Sequence, residues 1–580
     1  MANDNNSDNK NKVINFNDTF KLPIYYNESK ISLNKNIIND LELVNTIDEN
    51  NKPILEYYFN SNNQLSKKLL SQISEYYTND VKYLKDSQIL LQNYKSKNDS
   101  YVLTDYKNIV DIWNEIKNDT GFKERYYYVD WPMWEFLNNS EQFLQIMSVF
   151  NMTSPIISLL LPIIILIIPF FVIKLKGLTI TVEEYIKILK LIISQHAIGK
   201  LFTEFNNVET QQKLYLLASA GFYVFSFYQN ILTCIRFNKN MFKIHKDLKE
   251  VEIYLDYTIN NIDNYLIYAD NLETYNKFCD ILKEKKDKLV EFKYKLSKIT
   301  EYKLSYKKLF EIGNVLKYFY ELYNDKLYED AFLYSFGFNA YIDSIDGLID
   351  NINNKKINFT QFTNKKKNNI FKNSYYAILK DKEHVNNTIK LNKNIIITGP
   401  NASGKTTLLK STLINIILTQ QFGCGFYDMA KLYPYKYIHC YLNIPDTSGR
   451  DSLFQAEARR CKDILDIIDF NKKETHFCAF DELYSGTNPE EAEISATAFM
   501  EYLVKNKNIS CILTTHFIKV CNKLNNNKYI INNHMDAVKE NNKIIYTYML
   551  KCGISNLKGG INILTEMNYP KEIIEKTLQQ

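Results

Sequence analysis

No C-x-x-C pair and no Cys/His cluster at ligand spacing occurs in this 580-residue chain, although nine cysteines are scattered along it. A structural zinc site and a disulfide framework are therefore not expected. Several cysteines fall inside apolar strand-like runs, as reduced core thiols do, which suits a reducing compartment such as the cytoplasm. An excess of one charge is lacking too: 71 Lys+Arg against 66 Asp+Glu leave +5. Any contact with nucleic acid must then come from local patches rather than a global basic field. Proline is missing from residues 238–330, where Leu, Ile and Tyr recur at three- and four-residue spacing and predict long helices. Ile253, Leu255, Tyr257 and Ile259 alternate locally, but the wider pattern is helical. The charge runs Lys283–Lys288 and Lys365–Lys367 read as solvated surface.

Charge is wholly absent between Gln142 and Ile173, and Pro155–Ile173 is almost entirely apolar. Such a run can cross a bilayer core of about 30 Å. Pro162 and Pro169 would kink a buried soluble helix and are better tolerated in a membrane helix. A second uncharged stretch, Leu214–Ile235, lies between Lys213 and Arg236. Together they predict a two-helix transmembrane hairpin over 141–237, with spans at about 152–173 and 214–235; a pair of buried core helices is the competing reading. Arg236, Lys239, Lys243, Lys246 and Lys249 mark a cytosol-facing flank. Tyr185–Ile193 can lie amphipathically on a surface. The Asn/Asp/Lys-rich start predicts a disordered segment over 1–14 and no cleavable signal peptide. Residues 15–140 read as polar and aromatic helical segments, such as Ser66–Tyr94, without a nameable motif.

The most informative residues lie further on. Gly399-Pro400-Asn401-Ala402-Ser403-Gly404-Lys405-Thr406 follows the apolar run Ile395–Thr398 and opens a helix-like stretch at Thr407. Glycines let backbone N–H groups close around a phosphate at a helix N-terminus, Lys405 reaches the terminal phosphates, and Thr406 can ligate Mg²⁺. His476–Asp481-Glu482 is an apolar strand ending in two acids. Asp481 would hold Mg²⁺ through water, and Glu482 would polarise the attacking water. A second strand, Cys511–Thr515, ends at His516, which can sense the γ-phosphate. Between them, Ser448-Gly449-Arg450-Asp451-Ser452 starts a helical run and reads either as an anion site or as a simple helix cap.

This order of motifs resembles that of ABC-type ATPases and, more narrowly, the MutS family of DNA mismatch-repair ATPases. Thr398–Thr407 is similar to that family's TGPNMGGKST loop, Ser452-x-Phe454-x-x-Glu457 to its S-T-F-x-x-E signature, Phe480–Asn488 to MDEIGRGTS, and Thr514–Phe517 to ATHY. Ser555–Gly560 and Tyr569–Ile573 resemble its SYG and GVPKEVI tail segments. The resemblance implies an α/β P-loop NTPase domain of ABC/MutS type over 351–580, preceded by a mainly α-helical region with lever-like helices over 238–350. It implies ATP and Mg²⁺ as ligands, with Gly399 to Thr407 around the phosphates and Asn401 near the γ-phosphate. Glu482 would be the general base and His516 the switch. Ser452 would reach the nucleotide of a second subunit, so a homodimer or a pair with a related MutS-like subunit is implied, with double-stranded or branched DNA as a partner. The pattern departs at Asp451, inserted before Ser452; at Tyr484-Ser485, where the family has Gly-Arg; and at Tyr375-Tyr376, in place of His-Pro. No Gly-x-Phe-x-Glu mismatch wedge occurs before residue 140. The competing function is a membrane ATPase, anchored through 152–235, that acts on a protein or membrane partner.

Overall fold

The computed structural model describes residues 14–96, 106–177, 181–195, 209–303, 310–442 and 452–555, except 49, 62, 541 and 542, with a few isolated positions besides. The N-terminal 1–13 stretch, Ser448–Asp451 and most of the tail after Ser555 lie outside them. Two compact units form, one from residues 1–14, 103–259 and 286–332, the other from 15–102, 260–285 and 333–580.

The second unit contains a six-stranded sheet. Five of its strands are β6 (Asn394–Thr398), β9 (Tyr437–Tyr441), β10 (His476–Asp481), β11 (Ile509–Thr514) and β12 (Ile530–Glu540), mutually parallel in the order β12-β6-β11-β10-β9. β13 (Lys543–Cys552) closes the edge antiparallel to β12. Every residue of β6 and β11 is buried, which explains their unbroken apolar runs: a central parallel strand is covered on both faces. Cys478 and Cys511 stand side by side in this core, and all nine cysteines are unpaired thiols. A smaller mixed sheet is built by β3 (Asn358–Phe362), β4 (Ile370–Ser374), β5 (Asn387–Lys390), β7 (Cys424–Gly425) and β8 (Met429–Leu432).

Helix Lys405–Phe422 has 14 of its 18 residues buried, so it is a central helix rather than an amphipathic surface one. Its polar side chains must then find partners inside. Gln420 Nε2 donates to the carbonyls of Thr78 (3.1 Å) and Tyr435 (2.8 Å), and Gln421 Nε2 to those of Ile73 (2.8 Å) and Tyr76 (2.9 Å). These bonds bind the N-terminal stretch to helix Lys405–Phe422. Part of that stretch is not helical: β1 (Lys30–Ser32) pairs antiparallel with β2 (Tyr76–Thr78), and β2 interrupts the expected Ser66–Tyr94 helix. The helix ends at Gly423, whose φ of 76° is the left-handed C-terminal geometry that glycine adopts without strain.

The first unit is helical. Helix Ile312–Asn324 lies against the start of helix Glu141–Leu175, and a Cβ on Gly313 would meet the Glu141 carbonyl at 2.5 Å. Aromatic stacking fills its core, with Phe122 on Tyr323 at 4.2 Å and Trp113 on Phe332 at 5.3 Å. Helix Thr210–Ala269 runs antiparallel to helix Glu141–Leu175: Cys234 Sγ reaches the Met152 carbonyl (3.3 Å) and Tyr223 Oη that of Ser158 (3.2 Å). Among the described residues one helical stretch, Glu141–Leu160, is long and apolar enough to cross a membrane by length and composition. Leu214–Ile235, expected as a second span, does not meet that measure, because Gln229, Asn230 and the hydroxyls of Tyr215, Tyr223 and Tyr228 dilute its apolar content.

Candidate nucleotide site

β6 ends at Thr398, and the chain then turns sharply into helix Lys405–Phe422. Gly399 (φ 153°), Ala402 (φ 62°) and Gly404 (φ 91°) take positive φ angles in this turn. A Cβ on Gly399 would sit 2.8 Å from Ser403 Oγ, so the loop is closed about itself. Lys405 is buried, and its Nζ donates to the carbonyls of Gly399 and Pro400, both at 3.1 Å. Burial lowers the Lys405 pKa, and the Glu482 and Asp481 carboxylates oppose that shift. The ammonium thus rests within the loop, where a phosphate would be a stronger partner than two neutral carbonyls.

The two acids at the end of β10 divide their work. Asp481 accepts hydrogen bonds from Thr406 Oγ1 (2.9 Å) and from Thr514 Oγ1. Thr406 and Asp481 therefore share one small volume, as joint ligation of a cation requires. Among the described residues no three His, Cys, Asp or Glu side chains converge as a metal site. Magnesium fits this pair all the same, because it is typically held by one carboxylate or hydroxyl plus phosphate oxygens and water. Glu482 turns the other way, on a strained left-handed φ of 53°, and receives a 2.6 Å hydrogen bond from His516 Nε2. That bond holds the Glu482 pKa below the usual carboxylate value; Lys405 adds to the shift, and burial opposes it.

Lys405, Thr406 and Glu482 border a cavity of about 1060 Å³ that is lined by Asn401 to Thr407, whereas Gly399, Pro400, Asp481 and His516 are not part of its lining. It is large enough for a nucleotide. Ser403 Oγ and Ser411 Oγ, both in the lining, are buried without a hydrogen-bond partner, as groups awaiting a polar ligand would be. The far wall is aromatic. Tyr375 stacks on His384 at 4.3 Å, and Tyr548 of β13 lies over the loop, 3.3 Å from where a Gly404 Cβ would be. In the sequence Tyr375-Tyr376 stands out only as a departure from the family pattern, and no motif marks His384, Met535 or Tyr548. They come from the β4–β5 connection and the β12–β13 hairpin, which carry no spacing signal.

Ser452 does not line this cavity. It is exposed and caps helix Leu453–Phe470 in a reciprocal capping box with Gln455. Five residues on, the buried Glu457 carboxylate accepts from Ser485 N (3.1 Å), Ser485 Oγ (2.9 Å) and Gly486 N (3.1 Å), so it fixes the loop just after the two acids. Glu457→Ala would strand all three donors. We expect a loss of about 2–4 kcal/mol in urea unfolding, with Glu457→Gln intermediate because it keeps one acceptor oxygen. A Glu457→Ala protein as stable as the parent would show that the three bonds contribute nothing.

Residues 395–580 match the family model of MutS domain V. Part of the chain is also similar to part of several curated proteins. A DNA mismatch repair protein MutS from Persephonella marina is 26% identical over 214 residues, 36% of this chain and 24% of the relative. The MutS of Leuconostoc citreum is 26% identical over 244 residues, 41% and 28% of the two chains. That of Prochlorococcus marinus is 30% identical over 203 residues, 34% and 22%. The matches support the MutS family. The aligned part spans about a quarter of the length of these MutS relatives.

Proposed function

We infer that this chain is a MutS-like ATPase that binds ATP with Mg²⁺ in the cavity and hydrolyses it to ADP and phosphate as a dimer. The observation that carries this reading is that Lys405, Thr406 and Glu482 line one cavity, with Asp481 bonded to Thr406 and His516 to Glu482 behind them. Gly399 to Thr407 would wrap the phosphates, Lys405 would neutralise them, and Thr406 with Asp481 would hold Mg²⁺, which spreads the phosphate charge. Glu482, kept ionised by His516, would take the proton of the attacking water. Ser452, exposed at a helix N-terminus outside its own cavity, is free to reach the nucleotide of a partner subunit, either a second copy or a related MutS-like chain. Closure around two nucleotides would move the helical regions, and the conformational change would act on double-stranded or branched DNA in mismatch repair or recombination.

A second reading has one observation in its favour. Ile156, Ile157, Leu159, Leu160, Ile164, Ile167, Ile168 and Phe171 leave helix Glu141–Leu175 exposed and apolar. Such a surface is what a bilayer would cover. In that reading residues 152–235 hold the protein in a membrane, the ATPase domain faces a reducing ATP-containing compartment, and its partner is a protein or the membrane itself. One experiment separates the two: binding of detergent-purified protein to matched, mismatched and branched duplexes, with and without ATP, across salt concentrations. Tight, ATP-sensitive binding to one duplex supports the DNA-directed ATPase. Binding that is absent, or lost by physiological salt, sinks that reading in favour of the membrane ATPase.

A further inference from the structure

The phosphate loop and both acids stand at the C-terminal ends of β6, β10 and β11. The opposite ends of the same strands, about 17 Å away for a five-residue strand, border a second concavity. It measures about 450 Å³ and is lined by Lys365, Lys366, Lys367, Lys393 and Lys507, with no Asp or Glu. Five lysines in one small depression match in number the charge excess of the entire chain, +5. No ion pair joins any of them among the described residues. Two amides of the wall are already committed: Asn508 Nδ2 donates to the carbonyls of Lys472 and Lys473, both at 3.1 Å, and Asn394 Nδ2 to that of Tyr529 at 3.3 Å.

Lys366 is the informative member. The three-residue 3₁₀ turn Lys366–Asn368 directs it inward, where its Nζ donates to the Lys507 carbonyl at 3.1 Å. It is half-buried, and burial pulls its pKa down to about 7. The groups facing it are the thiols of Cys478 and Cys511, the imidazole of His476, and the other four lysines. None supplies a negative charge. A concave wall of one sign, with low-dielectric protein behind it, focuses its field on a small anion. Lysine heads, being compact point charges, suit phosphate without demanding the planar geometry of arginine.

We propose that this cleft is a second anion site, separate from the nucleotide cavity, which takes a compact ligand bearing clustered phosphates. The ligand is either a free polyphosphorylated small molecule or the polyphosphorylated headgroup of a lipid. A duplex is a poor match, because it offers phosphates along a convex surface while these lysines line a hollow. The site stands whether or not the chain hydrolyses ATP.

The test uses the full-length protein with saturating non-hydrolysable ATP, so that the phosphate loop is filled. Calorimetry with inositol hexakisphosphate at physiological salt should show binding, weakened at least tenfold in the Lys393→Ala/Lys507→Ala double variant, whose side chains are exposed. At pH 8 the bound anion should draw a proton onto Lys366, read as a dependence of the heat on buffer ionisation, and Lys366→Met should abolish that uptake. Vesicles containing a phosphatidylinositol bisphosphate, set beside plain phosphatidylcholine vesicles, assign the source: tighter binding to the former gives a headgroup, and equal weak binding to both gives a free ligand. Unchanged affinity in the double variant, no binding of either probe, or equal competition by a short DNA duplex would overturn the proposal.

Discussion

Glu482→Gln should bind ATP as tightly as the parent yet hydrolyse it about a hundredfold to ten-thousandfold more slowly, the range that a positioned general base contributes. The amide keeps the size of the carboxylate and can still receive the His516 hydrogen bond, so the cavity should hold its shape. What it loses is the lone pair that accepts the water proton. Because hydrolysis would open the dimer, the variant should collect as an ATP-bound dimer, visible by light scattering. Full turnover in this variant would refute the role given to Glu482. The pH profile offers a second check. Glu482 has a depressed pKa, so it stays ionised through the neutral range and the base is lost only as pH falls below the ordinary carboxylate value. His516→Ala removes the largest cause of the depression, so the acid limb of the rate profile should move to higher pH. A limb that does not move would mean that His516 acts on the nucleotide and not on Glu482.

The features legible in the sequence were those written in consecutive residues. β6, β10 and β11 announce themselves as apolar runs because both of their faces are covered, and each ends on a chemical group that the motif order already marked. What escaped depends on contacts between distant residues. Gln420 and Gln421 look like surface glutamines in the sequence; only the burial of their helix shows why they must bond to carbonyls near residue 75. The Glu457 link to Ser485 and Gly486 crosses 28 and 29 residues, and nothing local signals it. Tyr375 and His384 reach the cavity from the β4–β5 connection and Tyr548 from β13, far apart in the chain. Lys365–Lys367 read as solvated surface, yet a single tight turn sends the middle lysine inward. The apolar count of Leu214–Ile235 suggested a span, whereas its amide and phenol groups lower its apolarity below that of Glu141–Leu160.

Lys405→Ala should reduce ATP affinity by about a hundredfold or more, the equivalent of removing one or two charge-assisted hydrogen bonds to phosphate at 1.5–3 kcal/mol each. Folding should be nearly unaffected, for a reason specific to this site. The Lys405 ammonium is a buried charge whose only hydrogen-bond partners among the described residues are two loop carbonyls, and the Glu482 and Asp481 carboxylates offset only part of the cost of burying it. Alanine removes the buried charge while it leaves those carbonyls beside a cavity that water can enter. The effect therefore belongs to the bound state, and thermal unfolding without nucleotide should hardly change while the rise in melting temperature on adding Mg-ATP disappears. Titration of a fluorescent ATP analogue gives the affinity directly. Near-parental affinity would remove Lys405, and with it the whole loop from Gly399 to Thr407, from the nucleotide site; the cavity beside Glu482 would then need a different ligand.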